Sequence, residues 1–294
     1  MMSELPLEQV RTLLAVVDEG TFDAAAAALR LTPSAVSQRV KALEQRTGRV
    51  LLQRTKPVRP TESGAVLVRF ARQLARLERD ARGELGLSGA GEPTRVSVAV
   101  NADSLATWFL GALAQAPGLC FELHREDEAH TAALLREGLV MAAVTSSPDP
   151  VPGCSVRALG RMRYLPAAAP EFAARYLDGP LPDLLPDAPV VVFDRKDDFQ
   201  DGFVRRLGRG AASPLRHHVP TSEGFADAVA AGLGWGMLPE AQAGPLLAAG
   251  RLVLLAPDRS VDVTLYWQQW KLDSPALAAL AEAVTRAAAR ALRR

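Results

Sequence analysis

The sequence predicts an all-α N-terminal unit, one long connecting helix and a larger C-terminal α/β unit of two lobes. Three observations carry this. Short capped helical patterns lie in a basic N-terminal stretch, an unbroken amphipathic run covers 61–85, and apolar β-type segments alternate with alanine- and leucine-rich helices from Arg95 onward. The 294 residues exceed one typical domain and suit about two. With 48% hydrophobic and 23% charged residues, the composition is that of a folded globular chain, not a disordered one.

The first helical pattern, Leu7–Glu19, places Leu7, Val10, Leu13, Leu14 and Val17 at helical spacing, and Gly20 stops it. Thr21 caps a second carrying Phe22, Ala25, Ala26 and Leu29. Thr32 caps a third, with Pro33 at the first helical position, where proline loses no hydrogen bond. In this third helix Val36, Val40 and Leu43 share one side, while Ser34, Ser37, Gln38 and Lys41 share another. One face packs and the other can read DNA: small residues approach base edges, Gln38 can pair with adenine and Lys41 can meet a phosphate. Beyond Gly48, a short apolar strand leads into Lys56, Pro57, Arg59 and Pro60, which suits a basic wing. The formal net charge is only +1, yet eight Lys or Arg between Arg30 and Arg59 face the single acid Glu44, a compact cationic surface.

From Thr61, a natural N-cap, residues 61–86 read as one linker helix. Leu67, Phe70, Leu74 and Leu77 step by three and four along it, the seam of a two-stranded coiled coil, so a homodimer is expected. Residues 87–93, with Ser88, Gly89 and Gly91, read as a flexible hinge. Strands are then expected at 96–100, 120–123, 140–144, 163–168, 190–193, 232–238 and 264–270, with a last helix from Pro275, the pattern of a parallel α/β sheet. Two linked lobes with a cleft between them account for this length.

Chemistry gathers at the strand ends. The first strand runs into Asn101-Ala102-Asp103-Ser104, which opens a helix where backbone N–H groups and the Ser104 hydroxyl can hold a carboxylate. Acids follow other strands: Glu126 with Asp127, Asp194 with Asp197 and Asp198, and Glu223 beside Ser222; Thr145 ends the third strand as a further donor. A carboxylate site beside several acids describes a basic amino acid. Trp108 and Trp267 read as core.

Other classes find little support. The chain has no GxSxG elbow, no GxxxxGK[ST] loop and no HExxH, so an enzyme is not expected, nor a cofactor or metal. Its two cysteines, Cys120 and Cys154, form no CxxC pair and read as reduced, buried thiols; a thiol-redox signal stays the alternative to an amino-acid one. No window holds about 18 uninterrupted apolar residues. Glu4 and Glu8 stand where a secretory signal would be basic then apolar, so a cytoplasmic protein with no membrane partner is expected.

The segments Ser34-Ala35-Val36-Ser37-Gln38-Arg39-Val40-Lys41-Ala42-Leu43-Glu44, Leu51-Leu52-Gln53-Arg54-Thr55 and Arg59-Pro60-Thr61-Glu62-Ser63-Gly64 resemble the winged helix-turn-helix of LysR-type transcription regulators. That resemblance implies base contacts from Pro33, Ser34, Ser37 and Gln38, with Arg54, Lys56 and Arg59 on phosphates or in the minor groove. It also implies a two-lobed effector domain like a small periplasmic binding protein. Asn101 through Trp108, Glu126-Asp127, Tyr164-Leu165, Phe193-Asp194, Ser222-Glu223 with Phe225, and Leu265-Tyr266-Trp267 resemble the LysG/ArgP group, which senses lysine or arginine and controls amino-acid exporters. The effector would then meet Asn101, Asp103, Ser104, Glu126, Thr145, Asp194, Ser222 and Glu223. Double-stranded DNA, a homodimer or homotetramer, and RNA polymerase at the promoter are the implied partners. The expected boundaries are a DNA-binding domain at 1–60, linker helix 61–86, hinge 87–93 and effector domain 94–294. Within the last, lobe I takes 94–162 and 266–294 and lobe II takes 163–265, with crossovers near Arg163 and Leu265.

Overall fold

A computed structural model describes residues 4–87, 94–126, 128–208 and 210–294. Helices α1 (Leu7–Glu19), α2 (Phe22–Leu29) and α3 (Pro33–Thr47) enclose a core in which Val10, Leu13, Val16, Val36, Val40 and Leu43 are buried. The caps are those their residue types favour: Gly20 ends α1 at φ +72°, the Thr21 hydroxyl accepts from Ala24 N at 3.1 Å, and Thr32 accepts from Ala35 N at 3.2 Å. Strands β1 (Leu52–Gln53) and β2 (Arg59–Pro60) pair antiparallel as the wing. Glu44, the lone acid of the basic stretch, accepts from Leu51 N at 2.9 Å and so fixes the wing to α3.

Helix α4 (Glu62–Glu84) begins at a Thr61 cap and packs back on that core through Leu67, Val68 and Ala71. The expected dimer seam is therefore corrected at one of its four positions. Leu67 faces its own domain, and the outward stripe is Val66, Phe70 and Leu77, all exposed, with Leu74 half-buried. Two apolar stripes one residue apart look like one in sequence, because α4 serves two neighbours. Lobe I is the second: Arg76, fully buried, donates Nε to Asp80 Oδ2 at 3.0 Å and Nη1 to the Arg95 carbonyl at 3.1 Å. Apart from Leu87, the expected hinge lies outside the described residues; α4 itself is fastened to the domain that follows, not a free arm.

The α/β unit runs β3 (Thr94–Val100), α5 (Ala102–Ser104), a π-helical stretch Leu105–Phe109, α6 (Leu110–Leu113), β4 (Leu119–Arg125), α7 (Glu128–Glu137) and β5 (Ala142–Thr145). Then come β6 (Cys154–Ala168), α8 (Pro170–Tyr176), α9 (Leu181–Leu184), β7 (Val190–Val192), α10 (Phe199–Arg206), β8 (Arg216–His218) and α11 (Ser222–Ala230). The chain closes with β9 (Gly236–Pro239), α12 (Glu240–Ala248), β10 (Val253–Leu254), β11 (Val261–Trp270) and α13 (Pro275–Ala291). The main sheet has the order β10-β6-β11-β5-β3-β4, with β9 also on β6, while β7 and β8 pair in the second lobe.

The all-parallel expectation is corrected. β3 pairs parallel with β4 and β5, but β11 pairs antiparallel with both β5 and β6, and β9 antiparallel with β6. The sheet is mixed because β6 and β11 are long strands that run back through both lobes, their register shifting between Leu265 and Tyr266. The sequence reading missed the first half of β6, where exposed Ser155, Arg157 and Arg161 break the apolar run. It also began β9 too early, since Gly232 at φ +79° is still in the turn. Cys154 is buried, and burial pushes its thiol up to about 11. Cys120, expected buried, is exposed because β4 is the sheet's edge strand.

One glycine is dictated by contact. A Cβ on Gly64 would lie 1.9 Å from the Leu51 carbonyl oxygen, which also accepts from Thr61 N at 2.9 Å. Gly64→Ala is expected to destabilise the N-terminal unit by about 1–3 kcal/mol or more, the range of overpacking against backbone that cannot yield. Thermal unfolding checks this, and an unchanged first transition would contradict it.

Candidate functional site

The surface of α3 is disposed as its periodicity dictates. Pro33, Ser34, Gln38 and Lys41 are exposed and Ser37 is half-buried, while Val36, Val40 and Leu43 point inward. Arg54, Lys56 and Arg59 are exposed along the wing beside it. The Arg54 guanidinium stands 5.9 Å over the Phe22 ring, a stacking contact that steadies a cation at the edge of the reading face. The N-terminus of one helix, flanked by a cationic hairpin, is thus offered to a polyanion.

Between the lobes lies a cleft of about 370 Å³. At its centre is Asp103, in the helix that follows β3. Its Oδ2 accepts from the Tyr164 hydroxyl at 2.7 Å, and its Oδ1 from the Ser222 hydroxyl at 2.6 Å. Tyr164 comes from the crossing strand β6 and Ser222 from the start of α11, so one carboxylate joins the two lobes. Ser222 Oγ also stands 3.1 Å from the side-chain oxygen of Gln242. A second link between lobes runs from Arg125 Nη1 to the Pro220 carbonyl at 3.1 Å.

The opposite wall is a turn built by two acids. Asp194 Oδ1 accepts from Lys196 N at 2.7 Å and Asp197 N at 3.0 Å, while Asp197 accepts from Phe193 N at 2.7 Å and Phe199 N at 3.0 Å. Phe199 packs on Tyr164 with ring centroids 4.7 Å apart. The side-chain oxygens of Asn101 and Gln200, both in the lining, are buried without a partner among the described residues. Asp103, Glu126, Asp194 and Asp197 and two amide oxygens therefore line a space in which Arg125 is the one basic residue among the described residues. Such a cleft selects a cation rich in N–H donors.

Of the residues expected to meet a ligand, Asn101, Asp103, Glu126, Asp194 and Ser222 come together in this lining. The others stand off it. Ser104 is turned into the interior by the helical rotation after Asp103, Thr145 is buried with its hydroxyl accepting from Ser147 N at 3.1 Å, and Glu223 is exposed beside Ser222. Asp127 lies outside the described residues, and the Asp198 side chain is on the surface. The sequence reading passed over Arg125, Phe199, Gln200 and Gln242. Gln200 had a signal: a polar residue on the inward face of the short amphipathic helix α10.

Burial pushes the Asp103 carboxyl above the ordinary Asp range, a rise that the Ser222 and Tyr164 hydroxyls oppose and the charge on Glu223 reinforces. Asp197 is likewise raised, by burial first, against the N–H groups of Phe193 and Phe199. A raised acid favours the folded state when protonated and costs stability once ionised. Asp103→Asn is therefore expected to gain stability relative to the unsubstituted protein as pH rises from about 4, the ordinary Asp value, through the raised range. Unfolding midpoints of both proteins between pH 4 and 7 measure the difference; a variant midpoint that falls relative to the unsubstituted protein's as pH rises would refute the assignment.

Known proteins share both halves of this geometry. Residues 7–65 match the family described as bacterial regulatory helix-turn-helix protein, lysR family, and residues 90–289 match the LysR substrate binding domain. The chain is 49% identical over 281 residues to the HTH-type transcriptional regulator LysG of Mycobacterium tuberculosis, covering 95% of this chain and 92% of that one. The crystal structure of ArgP from Mycobacterium tuberculosis superposes with a TM-score of 0.91 at 48% identity, covering 97% of this chain and 98% of the other. Full-length LysG from Corynebacterium glutamicum with bound effector Arg gives 0.85 at 44% identity, covering 98% and 100%.

Proposed function

The chain belongs to the LysR family of bacterial transcription regulators, and from that membership we propose that it senses arginine or lysine in its interlobe cleft and so controls amino-acid export genes. The observation that carries this is the lining: four carboxylates and two unpartnered amide oxygens, with Arg125 alone of opposite sign. A basic amino acid answers each element. Its guanidinium or ammonium end meets Asp194, Asp197, Glu126 and Gln200, and its α-carboxylate meets Arg125. Asn101, Asp103 and Ser222 receive the α-amino group at the junction of the lobes. Arg125 thus replaces the backbone N–H groups and Ser104 hydroxyl that the sequence reading assigned to the carboxylate. The relative with a bound arginine supports the ligand class.

On the DNA side, Pro33, Ser34, Ser37 and Gln38 contact bases, and Lys41, Arg54, Lys56 and Arg59 contact phosphates. Two copies joined along Val66, Phe70, Leu74 and Leu77 would bury an apolar stripe otherwise left to water and present two α3 helices to a two-fold operator.

Calorimetry of the full-length protein with arginine, lysine and a neutral amino acid of similar size tests the effector reading. Heat is expected from the basic ligands alone, and equal or absent heats for all would sink it. For the operator, Gln38→Ala is expected to cost about 1–3 kcal/mol and relax one base position, whereas Lys56→Ala weakens all sequences alike and lowers the salt slope. Binding titrations on matched and single-mismatch duplexes separate the two, and identical behaviour would refute this division of contacts.

A further inference from the structure

Three parts of the molecule meet at one arginine that has no place in either binding site. Arg72, on the middle of α4 and mostly buried, forms an ion pair with Asp18 near the C-terminal end of α1. Its Nη1 donates to the carbonyl of Glu137, the last residue of α7, at 3.0 Å. A guanidinium on the final carbonyls of a helix is favoured by both hydrogen bonding and the helix dipole. Immediately beyond, Gly138 at φ +73° lets α4 approach so closely that a Cβ there would lie 2.9 Å from the Arg69 Cα. The contact is therefore tight backbone packing reinforced by a charged clip.

The position of α7 gives the clip a consequence. β4 ends at Arg125, and Glu126 lines the cleft; α7 starts at Glu128 and ends at Glu137 under Arg72. Ten residues of helix span about 15 Å, so α7 covers that length between a start two residues past Glu126 and its end under Arg72. We propose that Arg72 is the positioning residue that couples effector to operator: it fastens the cleft-distal end of α7 to α1 of the helix-turn-helix. Displacement of the Glu126 end on effector binding is then transmitted to the orientation of α3. Arg76, four residues on, fastens the same face of α4 to the Arg95 carbonyl, so a helix that packs on the DNA-binding core through Leu67, Val68 and Ala71 is tied to lobe I at two points.

This inference rests on the cleft being the effector site, and its test keeps the two apart. Arg72→Ala, Arg72→Lys and Asp18→Asn are compared with the unsubstituted full-length protein, using arginine heat by calorimetry and operator affinity with and without saturating arginine. Effector coupling in such systems typically changes affinity about 5- to 150-fold. Each variant is expected to keep its arginine affinity and its arginine-free operator affinity, while Arg72→Ala brings the arginine-dependent change to within about twofold of none. Arg72→Lys, which keeps the charge but not the fork, is expected to fall between. Asp18→Asn leaves lobe I untouched and guards against misfolding of the arginine variants: loss of coupling there supports the clip. Unsubstituted protein that gives no arginine heat overturns the effector reading. Heat with coupling undiminished in both Arg72→Ala and Asp18→Asn overturns the clip alone.

Discussion

The cleft is organised by a carboxylate drawn out of water against two hydroxyls. Tyr164 and Ser222 give Asp103 hydrogen bonds but no positive charge, so their help lowers its desolvation cost without cancelling it. On the proposed function, that imbalance is what would make the site selective. A neutral ligand would leave an unneutralised charge behind, and an anion would worsen it. A cation supplies the missing partner where the lobes are already joined. Arg125 adds the complementary restriction, a fixed positive charge at the same junction.

Most of the DNA-binding unit was legible because its signals are local. Thr21, Thr32 and Thr61 cap the helices they precede, and the two faces of α3 follow from period alone. The effector cleft was legible only in part. Asp103, Glu126, Asp194 and Ser222 were found because they end strands or begin helices, where ligands meet open α/β sheets. Their neighbours Ser104 and Glu223 carry the same positional signal, but a helical step of about 100° turns one into the core and the other to solvent. Gln200 and Gln242 were hidden because a buried amide in an amphipathic helix resembles an ordinary polar residue until the opposing lobe is in place.

Helix α4 shows a different limit. Its period was read correctly but assigned to one partner, whereas the helix packs on α1 through Leu67, on lobe I through Arg76, and leaves Val66, Phe70 and Leu77 outward. Each stripe differs from the next by a single residue, which is less than half a helical turn. A stripe of hydrophobic residues reports that something is covered and is silent on what covers it.

The same interactions bound what an effector can accomplish. A ligand shifts a conformational equilibrium only by its difference in affinity between the two states. The lobes are joined through Asp103 to Ser222 and Arg125 to Pro220, and the proposed effector would bind between them. In this joined form Asp103 and Asp197 are both acids raised by burial. On the proposed function, a bound cation would offset that burial in the joined form and have less to offset where water reaches the carboxylates. The acidic lining would then serve selectivity and switching by one means, because the charge that would choose the ligand is the charge whose burial the ligand would offset.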